Sequence, residues 1–334
     1  MIKALWFNNR QKEQDILQPD FFTPKTYFQV QAELPNAVTP VEISISAICG
    51  GTAVFEETHI VEEIEPGGII TLLKSTDTLE SDPERLDIKI HTNGNVYTES
   101  VNCEYATISG RTTDFNGNPF PAAIIFNIAS FSAMTGGIGV WSNAEGYYSI
   151  CLPKGECNSI FADDNSYGKT SLEAWGWKMI IDRDETHDFK IGNGEVYSMD
   201  VWANNGGAKS LFVFFRPMVL SYAIQAMTQE NKPEITINGK QYALSEACPD
   251  INVEDISVEI NGYKAANISL QKIYETFSDG EALPAYILQC ERPFGTGKQT
   301  MVLEYNFTDS KGNIAQSQGR MQFHYTNVYG LAVR

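Results

Sequence analysis

Carboxylates and indoles are the side chains of this chain best placed to do chemistry. Its densest acidic runs are Asp163-Asp164-Asn165 and Asp182-Arg183-Asp184-Glu185, the second followed by Asp188. A hard cation such as Ca²⁺ takes about six to eight oxygen ligands, which loops of this composition can supply. Asp163, Asp164, Asp182 and Asp184 are therefore the candidate metal ligands, against the simpler reading that these loops are only solvated. The stretch from Ser171 to Ile181 (SLEAWGWKMII) alternates, so that an extended strand would carry Glu173, Trp175, Trp177 and Met179 on one face. Two neighbouring indoles could form a platform for a sugar ring, with Glu173 bonding its hydroxyls and Gly176 allowing close approach. Trp141, Tyr167, Tyr197 and Trp202 fall in the same region and could extend that surface. Large aromatics also fill sandwich interiors, and for Trp175 and Trp177 the core reading outweighs the platform.

The remaining motifs fall away on inspection. A glycosidase needs two carboxyl groups about 5–9.5 Å apart, a distance no sequence supplies. A hydrolase of that kind predicts a cleft with two carboxylates, one of them with a raised pKa. His59-Ile60-Val61-Glu62 has a zinc-carboxypeptidase spacing, but its flanks read as strand. There is no H-E-x-x-H and no G-x-S-x-G. The glycines near Lys298 fail as a phosphate loop, because Arg292 and Gln299 stand where Gly and Ser or Thr are required. Asp114, Asn116 and Asn118 begin like an EF-hand loop, but Ile125 occupies the position of its bidentate Glu. Cys49, Cys103, Cys151, Cys157, Cys248 and Cys290 include no C-x-x-C pair, which argues against zinc. They read as buried thiols, with disulfides as the alternative. No catalytic constellation stands out.

Charge narrows the partners. The chain has 334 residues and a formal net charge of −18, from 42 acidic and 24 basic side chains. Such a field repels phosphate backbones and anionic lipid, so nucleic acid is not an expected partner. A glycan, a protein or a cation is compatible with it. The apolar stretch after Lys3 is only four residues, against the ~7–15 of a leader's core. No run approaches the ~20 residues of a membrane span. The expectation is a chain without membrane insertion, cytoplasmic as given and extracellular if a leader has been removed.

The elements that must position these residues read as strands. Aromatics make up 11% of the chain, and Val, Ile and Thr are frequent, a mix that favours strand over helix. Val41, Ile43 and Ile45 alternate with Glu42, Ser44 and Ser46, the period of a half-buried antiparallel strand. Asn93-Gly94 marks a tight hairpin, Asn238-Gly239 and Asn261-Gly262 repeat that grammar, and Gly136-Gly137 breaks the chain again. Strands at such spacing predict an all-β fold of tandem antiparallel β-sandwich domains, over 1–105, 106–217 and 218–334. The run Leu211 to Phe215 is apolar on both faces, which marks a central strand buried on both sides or one at a domain junction, and the junction is the favoured reading.

Within the middle segment, Ile108 to Ala123 (ISGRTTDFNGNPFPAA) resembles the opening of carboxypeptidase regulatory-like domains, G-x-V-x-D-x-x-G-x-P-x-x-x-A. Ser142 to Gly155 (SNAEGYYSICLPKG) resembles their second half, with Asn143 in place of the usual Asp. The resemblance implies a transthyretin-like sandwich that serves as an accessory module. Gly117 and Gly146 would supply the positive φ of its turns, and Asp114 and Asn143 would cap them. The C-terminal segment, with Asp309-Ser-Lys-Gly-Asn313 before its last strand, resembles bacterial immunoglobulin-like domains. The expected function is a non-catalytic binding or scaffold protein, with glycan recognition at Trp175 and Trp177. The alternatives are a structural subunit of a surface or phage-like assembly, and a hydrolase with an unrecognised carboxylate site.

Overall fold

The computed structural model describes residues 1–9, 25–128, 138–164, 166–203, 209–229, 231–293 and 295–325. The Gly136-Gly137 break and Asn165 lie outside them. Alternating side chains and left-handed turns build nearly everything else. Asn93 and Gly94 take φ of 49° and 73°, and Asn261 and Gly262 take 48° and 81°. Both central residues of a type I′ hairpin need that sign, which Asn-Gly adopts at least cost.

The N-terminal unit packs two sheets. β1 (Ile2–Asn8), β2 (Thr26–Glu33) and β5 (Ile69–Thr76) form one. β4 (Thr52–Val61), β3 (Val41–Cys49), β6 (Arg85–Thr92) and β7 (Asn95–Asn102) form the other, in that order. Val41, Ile43 and Ile45 point into the core with Trp6, Phe28, Ile70 and Leu86, as their alternation requires. Phe7 leaves this core. It is buried in that of the middle unit, with Leu5, Tyr27 and Leu73 packed against the same cluster.

The middle unit begins with β8 (Tyr105–Thr113), which pairs with β11 (Tyr147–Pro153) on one side. On the other it pairs in parallel with two short strands, β14 (Glu185–Thr186) and β15 (Phe189–Lys190). The facing sheet runs β10 (Ile138–Trp141), β9 (Ala123–Ile128), β12 (Gly155–Asp163), β13 (Ala174–Ile181). Its turns are capped as expected. Asp114 accepts the N–H groups of Asn116 and Asn118 around Gly117 at φ 83°, and Asn143 accepts those of Glu145 and Tyr147 around Gly146 at φ 84°. Asp309 caps the last hairpin of the chain in the same way, accepting from Lys311 and Asn313.

The C-terminal unit starts earlier than expected. β16 (Gly194–Ala203) and β17 (Ser210–Val219) do not close the middle unit; β17 pairs with β23 (Glu281–Glu291). Val196, Leu211, Val213 and Phe215 share a core with Met301, Leu303 and Tyr305. Leu211 to Phe215 is thus a central strand and not the junction. Its outward Phe212 stacks on Trp202, with ring centroids 5.7 Å apart, so both faces read as apolar. The helix α1 (Leu220–Thr228) follows directly. β18 (Glu234–Ile237) and β19 (Lys240–Leu244) extend this sheet, and β22 (Asn267–Thr276) pairs with β23 on its far side. The second sheet holds β20 (Ile256–Ile260), β21 (Tyr263–Ala265), β24 (Gly297–Thr308) and β25 (Ile314–Tyr325).

That second sheet does not stop at the unit's edge. β25 pairs in parallel with β13, at Trp175 with Gly319, Gly176 with Arg320 and Trp177 with Met321. One eight-stranded sheet therefore crosses both units. β16 lies so close over β25 that a Cβ on Gly319 would sit 2.6 Å from Val196 Cβ. Among the described residues no helix is long and apolar enough to cross a membrane. None of the six cysteines is joined in a disulfide, and Cys157, Cys248 and Cys290 are buried thiols.

Gly319→Ala should overpack this seam and lower stability by about 1–3 kcal/mol in urea unfolding. An unchanged midpoint would mean that β16 moves aside without cost.

Candidate functional site

The seam brings together most of the residues that chemistry singled out. β12 ends at Asp163 and β13 begins at Ala174, with Ala162 opposite Ala174, so Asp163 and Glu173 flank the same corner. In the loop between them Asp164 accepts from the Ser166 and Ser171 hydroxyls, each at 2.7 Å. Tyr167 stands exposed on this loop. From the C-terminal unit β16 delivers Glu195, which is only 5% exposed. No sequence motif points to it.

Glu195 keeps its proton at neutral pH. Burial pushes its pKa to about 9, and its hydrogen bond to Glu173 and the charge of that carboxylate add to the effect. The Trp175 indole lies beside the carboxyl and favours its ionised form, short of full hydrogen-bond geometry. Glu195 Oε2 has no hydrogen-bond partner among the described residues. Asp163 is raised to about 7, by burial first and then by the charges of Glu173 and Asp164, against the bond it accepts from Asp164 N–H. Tyr167 is raised to about 12, again by burial and then by Glu173, Glu195 and Asp163.

The aromatic residues lie at the seam, Trp175 and Trp177 half-buried, with their faces turned to one another. Trp175 and Trp177 stack on each other, with centroids 4.5 Å apart and planes at 9°. Tyr197 meets both edge-on at 5.8 Å, and Phe161 lies 4.8 Å from Trp175. The Trp177 indole donates to Val196 O at 3.1 Å and packs against the C-terminal core. A sugar needs open ring faces, and these rings spend theirs on one another. Trp141 is buried with Ala123 and Ile125 against Phe161. Met179 leaves the expected face: Lys178 takes φ 49°, which breaks the alternation and turns Met179 into the middle core. Trp202 lies five residues beyond Tyr197 on β16, roughly 17 Å along a strand. It, Tyr167 and Tyr197 are the candidate aromatics with substantial exposure, 40%, 48% and 39%.

The proposed metal set does not converge. Asp163 and Asp164 sit at one end of β13, and Asp182 and Asp184 at the other, about 25 Å away along the strand. Asp182 pairs with Lys298, and Asp184 accepts the Thr107 N–H at 2.7 Å. Among the described residues no group of three or more His, Cys, Asp or Glu could hold a metal ion. Carboxylates in these loops cap a turn at Asp164 and pair with lysine at Asp182.

No family model matches the chain, and no curated protein matches it. Among solved structures it is similar to BcpA, the major pilin subunit of Bacillus cereus, with 10% identity over 66% of this chain and 69% of that one, at a TM-score of 0.18. The Bacillus anthracis TIE protein matches with 9% identity over 97% and 72%, at 0.21. The N-terminal eight Ig domains of Down Syndrome Cell Adhesion Molecule match with 12% identity over 88% of this chain and 38% of that one, at 0.14. Superpositions at such scores carry no argument about function, and the all-β assignment stands on the strands and sheets themselves.

Two outcomes are expected at this site. A folded-state pKa raised above the unfolded value means that stability is full below the ordinary carboxylate range and falls as pH rises toward about 9. Glu195→Gln should remove that decline, so its urea midpoint should exceed the wild-type one at alkaline pH by more than at acid pH. Parallel profiles would show that Glu195 carries no shared proton. Replacing Trp175 and Trp177 together by Ala should cost about 2–3 kcal/mol, below the ~3–5 kcal/mol of a fully buried aromatic truncation because both rings are half-buried. A fully stable double variant would return both rings to the surface.

Proposed function

We propose that this chain is a non-catalytic β-sandwich scaffold whose middle and C-terminal units work as one rigid block within an assembly. The observation that carries this reading is the eight-stranded sheet running unbroken through both units. A joint of that kind transmits load and fixes orientation, whereas sandwiches on a flexible linker do neither. β22 supports it, because this strand of ten residues pairs, among the described residues, with β23 alone and leaves its other edge open. Open edges are templates for pairing with another chain. Ile268 and Tyr274 on this strand are 53% and 37% exposed. The capped turns at Asp114 and Asn143 support the reading of the middle unit as a carboxypeptidase regulatory-like accessory sandwich. Glycan recognition belongs to the same reading at Trp202, Tyr167 and Tyr197, candidate rings that keep open surface.

Light scattering over a concentration series tests the assembly role. Oligomers that grow with concentration are expected, and Ile268→Lys with Tyr274→Lys should abolish them without changing Tm, since edge lysines oppose strand pairing. A strict monomer at every concentration would sink self-assembly and leave capture of a different partner.

One observation favours a second reading, a carboxylate-dependent hydrolase: Glu195 holds a proton beside Glu173. Hydrolysis of a glycoside panel that disappears in Glu195→Gln would establish it, and an inactive wild type would remove it.

A further inference from the structure

We propose that His187 is an acid-sensitive latch between the middle and C-terminal units, and that protonating its imidazole expels Arg320 and loosens the seam. The inference rests on the seam alone and not on the assembly reading, so either can fail without the other.

His187 lies in the link between β14 and β15 and is 4% exposed. Its backbone is pinned on both sides. The N–H donates to Ser109 O at 2.8 Å, and the carbonyl accepts from the Tyr148 hydroxyl at 2.6 Å. Gly110 lies directly against that carbonyl, where any Cβ would collide with it. The ring therefore has little freedom to turn away from its neighbours.

Those neighbours dictate its protonation state. Nδ1 sits 3.0 Å from Arg320 Nη1, and Nε2 sits 3.3 Å from Glu185 Oε2. A guanidinium only donates, so Nδ1 must present its lone pair and the ring proton must be on Nε2, facing Glu185. Arg320 comes from β25 of the C-terminal unit, is itself buried, donates to Asp188 O at 2.6 Å and lies over the Phe189 ring. The charged and titratable groups around the imidazole are Glu185, Asp188 and Tyr148 from the middle unit, and Arg320 and Lys298 from the C-terminal unit. Glu185 is already committed to Lys298 at 2.7 Å, Arg183 at 3.2 Å and the Gln322 amide at 2.8 Å. A second ring proton would place N–H against N–H and a cation against a cation at contact distance. The protonated ring and the docked arginine are mutually exclusive in this geometry.

The direction follows from linkage. Burial lowers the His187 pKa, and Arg320 and Lys298 oppose protonation further, while Glu185 pulls the other way. A depressed folded pKa means that stability is lost as pH falls below the ordinary imidazole value of about 6.5. Hydrogen bonds from His187, Lys298 and Gln322 hold Glu185 at about 2 despite its burial, so it stays ionised throughout that window.

Hydrogen exchange on the full chain tests the latch at about pH 7.5 and about pH 5.5, either side of that value and corrected for intrinsic rates. Measured against His187→Gln, wild type should lose up to about tenfold protection in β13, β25 and residues 182–190 between the two values, while β3 and β6 show no difference between the two chains; Glu195 and Asp163, whose raised pKa values strengthen the seam as pH falls, act alike in both. His187→Gln should keep Arg320 docked at both values, because the amide oxygen accepts from Arg320 and the amide nitrogen donates to Glu185. Parallel changes in wild type and variant at the seam would overturn the proposal. If the variant does not fold, ring-nitrogen NMR of the wild-type chain decides. A neutral Nε2–H tautomer whose titration coincides with loss of its contact with Arg320 upholds the latch, and an imidazolium beside a docked Arg320 refutes it.

Discussion

Parallel pairing of Trp175, Gly176 and Trp177 with Gly319, Arg320 and Met321 joins two sandwiches into one sheet, and the rest of the molecule adjusts to permit it. A sheet that crosses from one core to the next needs a second layer on both sides of the crossing. β16 supplies it, packing so tightly over β25 that Gly319 can carry no side chain without displacing Val196. The half-buried stacked indoles and the more exposed Tyr197 pack where β13 and β16 meet.

Charge is buried at both ends of this crossing, which makes the seam specific more than it makes it strong. Breaking a buried pair is costly, yet the pair gains little over a well-packed apolar contact. Lys298, with its side chain 5% exposed, reaches Glu185 and Asp182, so the middle unit can dock only where its carboxylates find that ammonium. At the other end Glu173 and Glu195 can approach only while one proton remains between them. Each pair rejects a slipped register, because a shift of one residue would strand a charge in a dry interface.

Local grammar is legible in the sequence and tertiary burial is not. The alternation of Val41, Ile43 and Ile45, the Asn-Gly hairpins and the turns at Asp114, Asn143 and Asp309 each depend on a few neighbouring residues, and each is realised. The end of the middle unit falls elsewhere than the pattern suggests because β16 and β17 have ordinary strand patterns, and only long-range pairing with β23 assigns them. Met179 departs from its expected face for a local reason of another kind, a left-handed Lys178 that no propensity announces. Glu195, His187 and Arg320 leave no signal. A charged residue in a strand reads as surface, and these three are buried only because a second unit covers them. The carboxylates expected as metal ligands fail in the opposite way, since their crowding along the chain reflects two separate loops.

The two joints of the chain show what the polar seam adds. The N-terminal unit docks on the middle one through Phe7, Leu5, Tyr27 and Leu73, an apolar contact with Phe7 and Tyr27 stacked at 6.3 Å. Such a contact depends on area, has no preferred rotation and is indifferent to protons near neutrality. The seam between the middle and C-terminal units instead requires an imidazole without its second proton and a carboxyl that keeps its first. A chain that needed only cohesion could have used the first kind of joint twice. Buried ionisable groups at the second joint make its register selective and its strength conditional on pH.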